Sequence, residues 1–291
     1  MGAQFLQYLL TGLTVGAIYA LVALGFSIIY NASQVINFAQ GELVMVGGMT
    51  TVSFTASGLP LGLAIPLAVI VAALVGVALE KLAIEPAREA SVVTLIIITI
   101  GASIFLRGLA TLVWDKKLHP LQAFSGDAPI EFFGATFLPQ TLWVLGVTLL
   151  ILLGLSWFFG RTLLGKAMMA TSHNRLAAQL VGVNVKHVLT LSFALSAALG
   201  AIAGILIAPI SFTTYDVGVM LGLKGFAAAM LGGMGSGIGA VAGGIVLGIL
   251  ESMSAGYISS AYKDAIALFA MLAVLFFLPN GLFGRRGAER V

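Results

Sequence analysis

The sequence predicts an all-α integral membrane protein, a polytopic bundle of about eight transmembrane helices with two short interrupted or re-entrant segments. Three observations predict it. The 291-residue chain is 60% hydrophobic and only 9% charged, whereas soluble domains are about a quarter charged. Its mean hydropathy is +1.10. Apolar stretches near the roughly 20 residues that a spanning helix requires recur from one end to the other with short loops between them, so residues 1–291 read as a single transmembrane domain.

The first stretch, at about 7–30, follows a start with no charged side chain before Glu42. It lacks the basic leader of a cleaved signal, so the N-terminus reads as the first span. Full-length stretches follow at 61–79, 91–114, 140–160, 187–210, 238–256 and 265–279. Two others, 43–57 and 219–233, are short and punctuated by glycine. At 1.5 Å per residue a 15-residue helix reaches only ~22 Å across a core of ~30 Å, so these two are expected to be broken or re-entrant. Such backbone survives in a bilayer only when protein buries it or a cavity borders it. Met45-Val46-Gly47-Gly48-Met49 in the first echoes Met230-Leu231-Gly232-Gly233-Met234 in the second, the pattern of two related halves with paired interruptions. The glycines at Gly12, Gly16 and from Gly232 to Gly248 fit close helix packing. The run from Gly232 through Gly233 and Gly235 to Gly239 fits equally a break between two half-helices.

Loop charges orient the chain. Lys81 and Arg88, then Arg161, Lys166, Arg175 and Lys186 in an acid-free loop at 161–187, and Arg285, Arg286 and Arg290 in the tail mark the cytoplasmic side. The 115–139 loop, of mixed charge and rich in proline, belongs outside. The N-terminus then lies outside if 43–57 crosses fully and inside if it dips and returns. Within 161–187, Ser172 is expected to cap a short helix that Gly182 ends, with Leu176, Ala177, Leu180 and Val181 on one side and Arg175 and Gln179 on another. A helix this short needs a bilayer surface or a protein groove to hold it.

Much chemistry is excluded. Cys is absent, and the three His (His119, His173, His187) have no ligand spacing, so no metal site is expected. The pI of 9.3 comes from a handful of charges and does not point to nucleic acid. Gly160-Arg161-Thr162-Leu163-Leu164-Gly165-Lys166-Ala167 has the spacing of a phosphate loop, but it ends in Ala167 instead of a hydroxyl and follows an apolar span in place of a strand. Gly235-x-Gly237-x-x-Ala240 lacks the strand–turn–helix context of a dinucleotide turn. No GxSxG frames a nucleophile, and no catalytic residues are expected.

Four charges fall at membrane depth, where each costs ~2.5–3.5 kcal/mol on insertion scales: Glu42, Arg107, Lys224 and Glu251. Glu42 and Lys224 open onto the two short segments and are expected to face a shared interior, as partners or path residues, unless Glu42 sits at the interface and Lys224 snorkels. Arg107 reads as an outer anchor. Glu251 is a charge partner for Lys224. So few titratable groups argue against an ion-driven pump.

Several strings together resemble one family. Val35-Ile36-Asn37-Phe38-Ala39-Gln40-Gly41-Glu42, the loop from Gly165-Lys166-Ala167-Met168 to Ala177-Ala178-Gln179-Leu180-Val181-Gly182-Val183-Asn184, and Gly222-Leu223-Lys224-Gly225-Phe226 through Leu231-Gly232-Gly233-Met234-Gly235-Ser236 are similar to LivH-type permeases. Ala261-Tyr262-Lys263-Asp264 and Pro279-Asn280-Gly281-Leu282 continue the resemblance to the tail. It implies an inner-membrane ABC importer permease for branched-chain or other hydrophobic amino acids. The implied partners are a LivM-type second permease subunit, two cytosolic ATPase subunits and an extracytoplasmic binding protein. ATP and Mg would be bound by the ATPases, with no cofactor in this chain. Residues 165–184 would then be the coupling loop, through Gly165, Lys166, Arg175, Leu176, Ala177, Leu180 and Gly182. Asn37, Gln40, Glu42 and Lys224, with Gly232, Gly233 and Gly235, would border the substrate path or its gate. Two departures stand out: Gln40 replaces a His common in the family, and the Thr171–Arg175 stretch lacks the usual acids. The first keeps open the same machine importing urea or short amides. An ion-coupled secondary transporter is the rival of a different class.

Overall fold

The computed structural model describes residues 2–284. The tail arginines Arg285, Arg286 and Arg290 lie outside the described residues. The chain runs through α1 (Gly2–Ser33), α2 (Gln40–Ala56), α3 (Leu61–Leu79), a π-helical turn (Glu80–Ile84) and α4 (Val92–Trp114). A two-stranded antiparallel hairpin, β1 (Ile130–Phe132) and β2 (Ala135–Phe137), leads into α5 (Pro139–Arg161). Then come α6 (Leu163–His173), α7 (Arg175–Leu180), α8 (Val185–Ser211), α9 (Val217–Gly232), α10 (Gly237–Tyr257) and α11 (Lys263–Phe277). Among the described residues six helices are long and apolar enough to span a bilayer: α1, α3 with its π turn, α4, α5, α8 and α10.

Local sequence fixes the ends. Ser91 opens α4 by accepting from Thr94 N at 3.2 Å, Asn184 opens α8 by accepting from Lys186 N and His187 N, and Ser236 opens α10 by accepting from Gly239 N. Each hydroxyl or amide oxygen satisfies an amide that has no partner within its own helix. Pro139 starts α5, where its missing N–H costs nothing.

Packing then separates centre from rim. The central window of α1 is 89% buried, against 11% for α4 and for α5. The rim helices turn Ile97, Ile104, Phe105, Leu150, Leu153 and Trp157 outward, as lipid-facing helices do. Along the centre, Gly12 and Gly16 of α1 interlock with Gly244 and Gly248 of α10. A Cβ on Gly12 would stand 2.8 Å from Ile249 Cα, so only glycine permits this approach.

The faces of the bundle can be read from its ends. Gln7 near the start of α1 exchanges two hydrogen bonds with Thr136 of β2. His119 and Thr213 exchange backbone bonds of 2.9 and 3.0 Å, and Trp114 Nε1 donates to Ser53 Oγ. The start of α1 and the ends of α2, α4 and α8 therefore share one face, opposite the basic α6–α7 segment. With that segment cytoplasmic, the N-terminal end of α1 lies outside, the alternative that the sequence had left open.

Three expectations change. The 43–57 stretch is not interrupted: α2 is an unbroken helix, and Gly47 and Gly48 are sites where it presses against Ala201 and Gly204 of α8. The 219–233 stretch does end in a break, with Gly233 at φ +102° and Gly235 at φ +86° between α9 and α10. The Met-x-Gly-Gly-Met echo consequently falls mid-helix in one copy and across a helix end in the other, so the two copies are not structural equivalents. Finally, Asn174 caps α7 by accepting from Ala177 N at 2.9 Å, while Ser172 lies within α6 and donates to Met169 O. Gly182, at φ +88°, follows α7 as expected.

Candidate functional site

The residues expected along a path divide into three places. The first is the start of α2, where the chain enters the bundle interior beside Ser196, near the middle of α8. Gln40 is fully buried, donates from Nε2 to Ser196 O at 2.9 Å and accepts from Ser196 Oγ at 2.6 Å. Asn37 folds back to accept from Ala39 N at 3.1 Å, which shapes the turn into α2. Its Nδ2, buried, has no hydrogen-bond partner among the described residues. Glu42 is 1% exposed; Oε1 accepts from Ser103 Oγ of α4 at 2.8 Å, and Oε2 has no hydrogen-bond partner among the described residues. That free oxygen lies against α9: a Cβ on Gly218 would come within 3.0 Å of it. Arg107 and Asp216 are the charged groups that act on Glu42 electrostatically. The Phe38 ring packs on Phe226 of α9 at 5.5 Å and the Phe26 ring at 5.8 Å.

The second place is an ion network joining α1, α9, α10 and α11. Lys224 Nζ lies 2.8 Å from Glu251 Oε1 and 2.7 Å from Asp264 Oδ1, the latter at an angle outside hydrogen-bonding geometry. Tyr19 Oη donates to Glu251 Oε2 at 2.7 Å, Lys263 stands 3.8 Å from Glu251, and the Lys224 ammonium sits 5.5 Å from the Tyr19 ring centroid. Two cations meet two anions, so the cluster is neutral. Lys224 is thus engaged with Glu251 and Asp264, not with Glu42. Though α2 and α9 touch, the two charges leave the helix pair in different directions.

The third place is the α9–α10 turn. Gly232 O accepts from Phe283 N at 2.9 Å, Leu231 O accepts from Leu282 N at 2.8 Å, and Gly235 O accepts from Asn31 Nδ2 at 2.8 Å. These carbonyls, which a broken helix could offer to cargo, are occupied within the chain.

On the cytoplasmic face α6 and α7 form a corner. Gly165 packs onto the end of α5, with no room for a side chain against the Phe158 carbonyl, and Thr162 accepts from Gly165 N at 3.0 Å. Lys166, Arg175, Leu176, Ala177 and Leu180 are all exposed, Leu180 at 82% and Val181 at 78%. The Gly160–Ala167 string spans the α5–α6 junction, a helix-to-helix corner without the strand that a phosphate loop requires. Next to this corner, Lys186 of α8 lies 3.3 Å from Glu85, which Lys81 also pairs at 2.8 Å. Lys81 first and Lys186 second hold the Glu85 carboxyl below the usual carboxylate range. A group depressed in this way stabilises above its unfolded value and loses that contribution as pH falls through its folded one, so the clamp acts at neutral pH.

Sequence reasoning missed several of these residues. Thr99, Ser103 and Arg107 recur every four residues on α4, and the first two meet the turn into α2 and α2 itself: Phe38 N donates to Thr99 Oγ1 at 3.2 Å, and Ser103 Oγ donates to Glu42 Oε1 at 2.8 Å. That spacing was the available signal. Glu80, fully buried at the π turn, accepts from Thr190 Oγ1 at 2.9 Å. Tyr19 and Asp264 complete the ion network, though only Asp264 announced itself by charge.

Residues 8–275 match the family described as branched-chain amino acid transport system / permease component. The chain is 33% identical over 303 residues to the high-affinity branched-chain amino acid transport system permease protein LivH of Escherichia coli K12, covering 99% of this chain and 98% of that one. It is 34% identical over 306 residues to BraD, the permease protein of the same description from Pseudomonas aeruginosa, with the same coverage. Among solved structures it is similar to PsaBC from Streptococcus pneumoniae in complex with Fab, at a TM-score of 0.52 and 16% identity over 98% of each chain. At that identity the likeness is one of fold.

Proposed function

Because the chain belongs to the family of branched-chain amino acid transport permease components, it is a multi-pass inner-membrane permease subunit of an importer, and we propose that its cargo is a branched-chain or similarly hydrophobic amino acid. Residues 1–291 act as one permease domain. Its six long helices are supplemented by the shorter α2, α9 and α11, with α2 and α9 packed together through Gly41, Gly218 and Gly222, to give about nine crossings or part-crossings. A LivM-type second permease completes the path, an extracytoplasmic binding protein delivers cargo to the α1–hairpin face, and two cytosolic ATPases bind ATP and Mg. The permease itself is a transport component, not an enzyme.

The observation that carries ATP coupling is the α6–α7 corner. A six-residue helix that exposes Leu176, Leu180 and Val181 beside Arg175, with no acid between residues 161 and 187, is unstable alone and suited to an acidic-rimmed groove. Motion received there passes to α8, whose first turns are tied to α3 through Lys186–Glu85 and Thr190–Glu80. Cargo moves past the start of α2, where α2, α4 and α9 converge. Gln40 does not favour urea or amides as cargo, since Ser196 consumes both ends of its amide.

The test is uptake by the assembled complex in proteoliposomes. Labelled leucine should enter only with ATP and binding protein, and unlabelled isoleucine or valine should compete where urea and acetamide do not. Uptake by this chain alone on a proton or sodium gradient would refute the reading.

A further inference from the structure

The two buried polar clusters differ in a way that assigns them different work. The Lys224 network is charge-balanced, and its charged members are all paired. A cluster of that kind fixes helices. At the start of α2, by contrast, the buried Glu42 has only the Ser103 hydroxyl as a hydrogen-bond partner, and among the described residues neither Arg107 nor the exposed Asp216 makes an ion pair with it. There too a carboxylate oxygen, within a side chain that is 1% exposed, lacks any hydrogen-bond partner among the described residues.

A buried acceptor that is also charged carries one of the largest penalties available to a side chain. Packing does not require it here. Glutamine would fill the same volume without the charge and still accept from Ser103. What the carboxylate adds is affinity for a cation carrying several N–H donors, and an amino acid's α-ammonium has three donors and one positive charge. Resting on the amino-acid importer reading above, we propose that Glu42 Oε2 receives the α-ammonium group of the transported amino acid as it passes between α2, α4 and α9.

The surroundings fit that role. Gly218, which carries no side chain, brings the α9 backbone up to Oε2 and against Gly41 of α2. On its other side the site is bounded by α4, a rim helix that meets the turn into α2 through Thr99 and α2 itself through Ser103, Ala110 and Trp114. Phe26, Phe38 and Phe226 offer apolar surface nearby for the cargo's side chain.

The assembled permease complex, purified without binding protein, is heated with leucine, with isoamylamine (no carboxylate), with 4-methylpentanoate (no amine) or with sodium chloride. Leucine and isoamylamine should raise the unfolding temperature and the other two should not. Glu42→Gln should abolish both shifts and slow ATP-driven leucine uptake by roughly 10- to 100-fold, the factor set by losing a hydrogen bond to a charged group. Ser103→Ala, which leaves Oε2 in place, should retain the shifts. The assignment is overturned if the amine shifts persist in Glu42→Gln, if 4-methylpentanoate or sodium alone produces the shift, or if neither amine shifts the wild type. Should Glu42→Gln not assemble, the ligand comparison on the wild type still decides. Wild-type uptake of leucine with a silent Glu42 refutes only this assignment, whereas no ATP-driven uptake of any amino acid refutes the permease cargo reading itself.

Discussion

At residue scale, the cost of a buried charge depends on who answers it. Lys224 has Glu251 at 2.8 Å and Asp264 at 2.7 Å, so removing one carboxylate leaves the ammonium underpaired in a medium that cannot solvate it. Glu251→Ala is therefore expected to destabilise the chain by about 3–5 kcal/mol, while Lys224→Met with Glu251→Leu recovers much of the loss, since a well-packed apolar pair is often as stable as the ion pair it replaces. Thermal unfolding of the three purified variants checks this; a double variant no better than the worse single one would contradict it. Lys224 and Glu251 were visible in the sequence, and so was their misfit with the bilayer. Their pairing was only half legible, because Glu251 emerged as a partner for Lys224 while Asp264 did not, and of the two roles expected for Glu42 and Lys224, partners or path residues, the pairing is not the one Lys224 makes. Sequence spacing gives depth along a helix but not the direction in which two packed helices present their side chains. Thr99 and Ser103 were obscured for another reason: hydroxyls inside helices usually bond their own backbone, as Thr99 does to Ile96 O, and only the arrival of α2 gives them a second role.

Elements were the most legible level, because a run of apolar residues bounded by charge states its own length. The expected spans at 61–79 and 91–114 correspond to α3 and α4 almost residue for residue. Glycine was harder to read, since it marks both a break and a close approach. Gly233 and Gly235 adopt positive φ and break the chain, whereas Gly47 and Gly48 stay helical and admit α8. The α1–α10 seam turns the second use into a measurable quantity. A Cβ on Gly248 would stand 2.6 Å from Gly12 O, among still closer atoms of Gly16. Gly248→Ala should cost about 1–3 kcal/mol by overpacking, and Gly146→Ala, with nothing within 4 Å of the new atom, should be close to neutral. Equal unfolding temperatures for the two variants would remove the seam from the account.

At the scale of the whole molecule, the basic loops and the hairpin assign each face to a side of the membrane. The absence of cysteine makes that assignment easy to test. A single cysteine at Gln4→Cys should react with an impermeant maleimide in right-side-out spheroplasts, and one at Gln179→Cys only after lysis. Reversed reactivity would turn the bundle over. The sequence could not decide this orientation because it depended on whether 43–57 crossed, and the answer came from a contact between remote segments, Gln7 with Thr136.

The capping of α9 by residues 282 and 283 bears on the order in which the molecule is made. Leu231 O and Gly232 O acquire their partners from a segment that leaves the ribosome after α10 and α11. Until then the cytoplasmic end of α9 must satisfy its carbonyls with water or with the membrane insertion machinery. The helix nearest the proposed cargo site is thus the one whose lower end is finished last, so synthesis itself delays closure of the transport route until the rest of the bundle is in place.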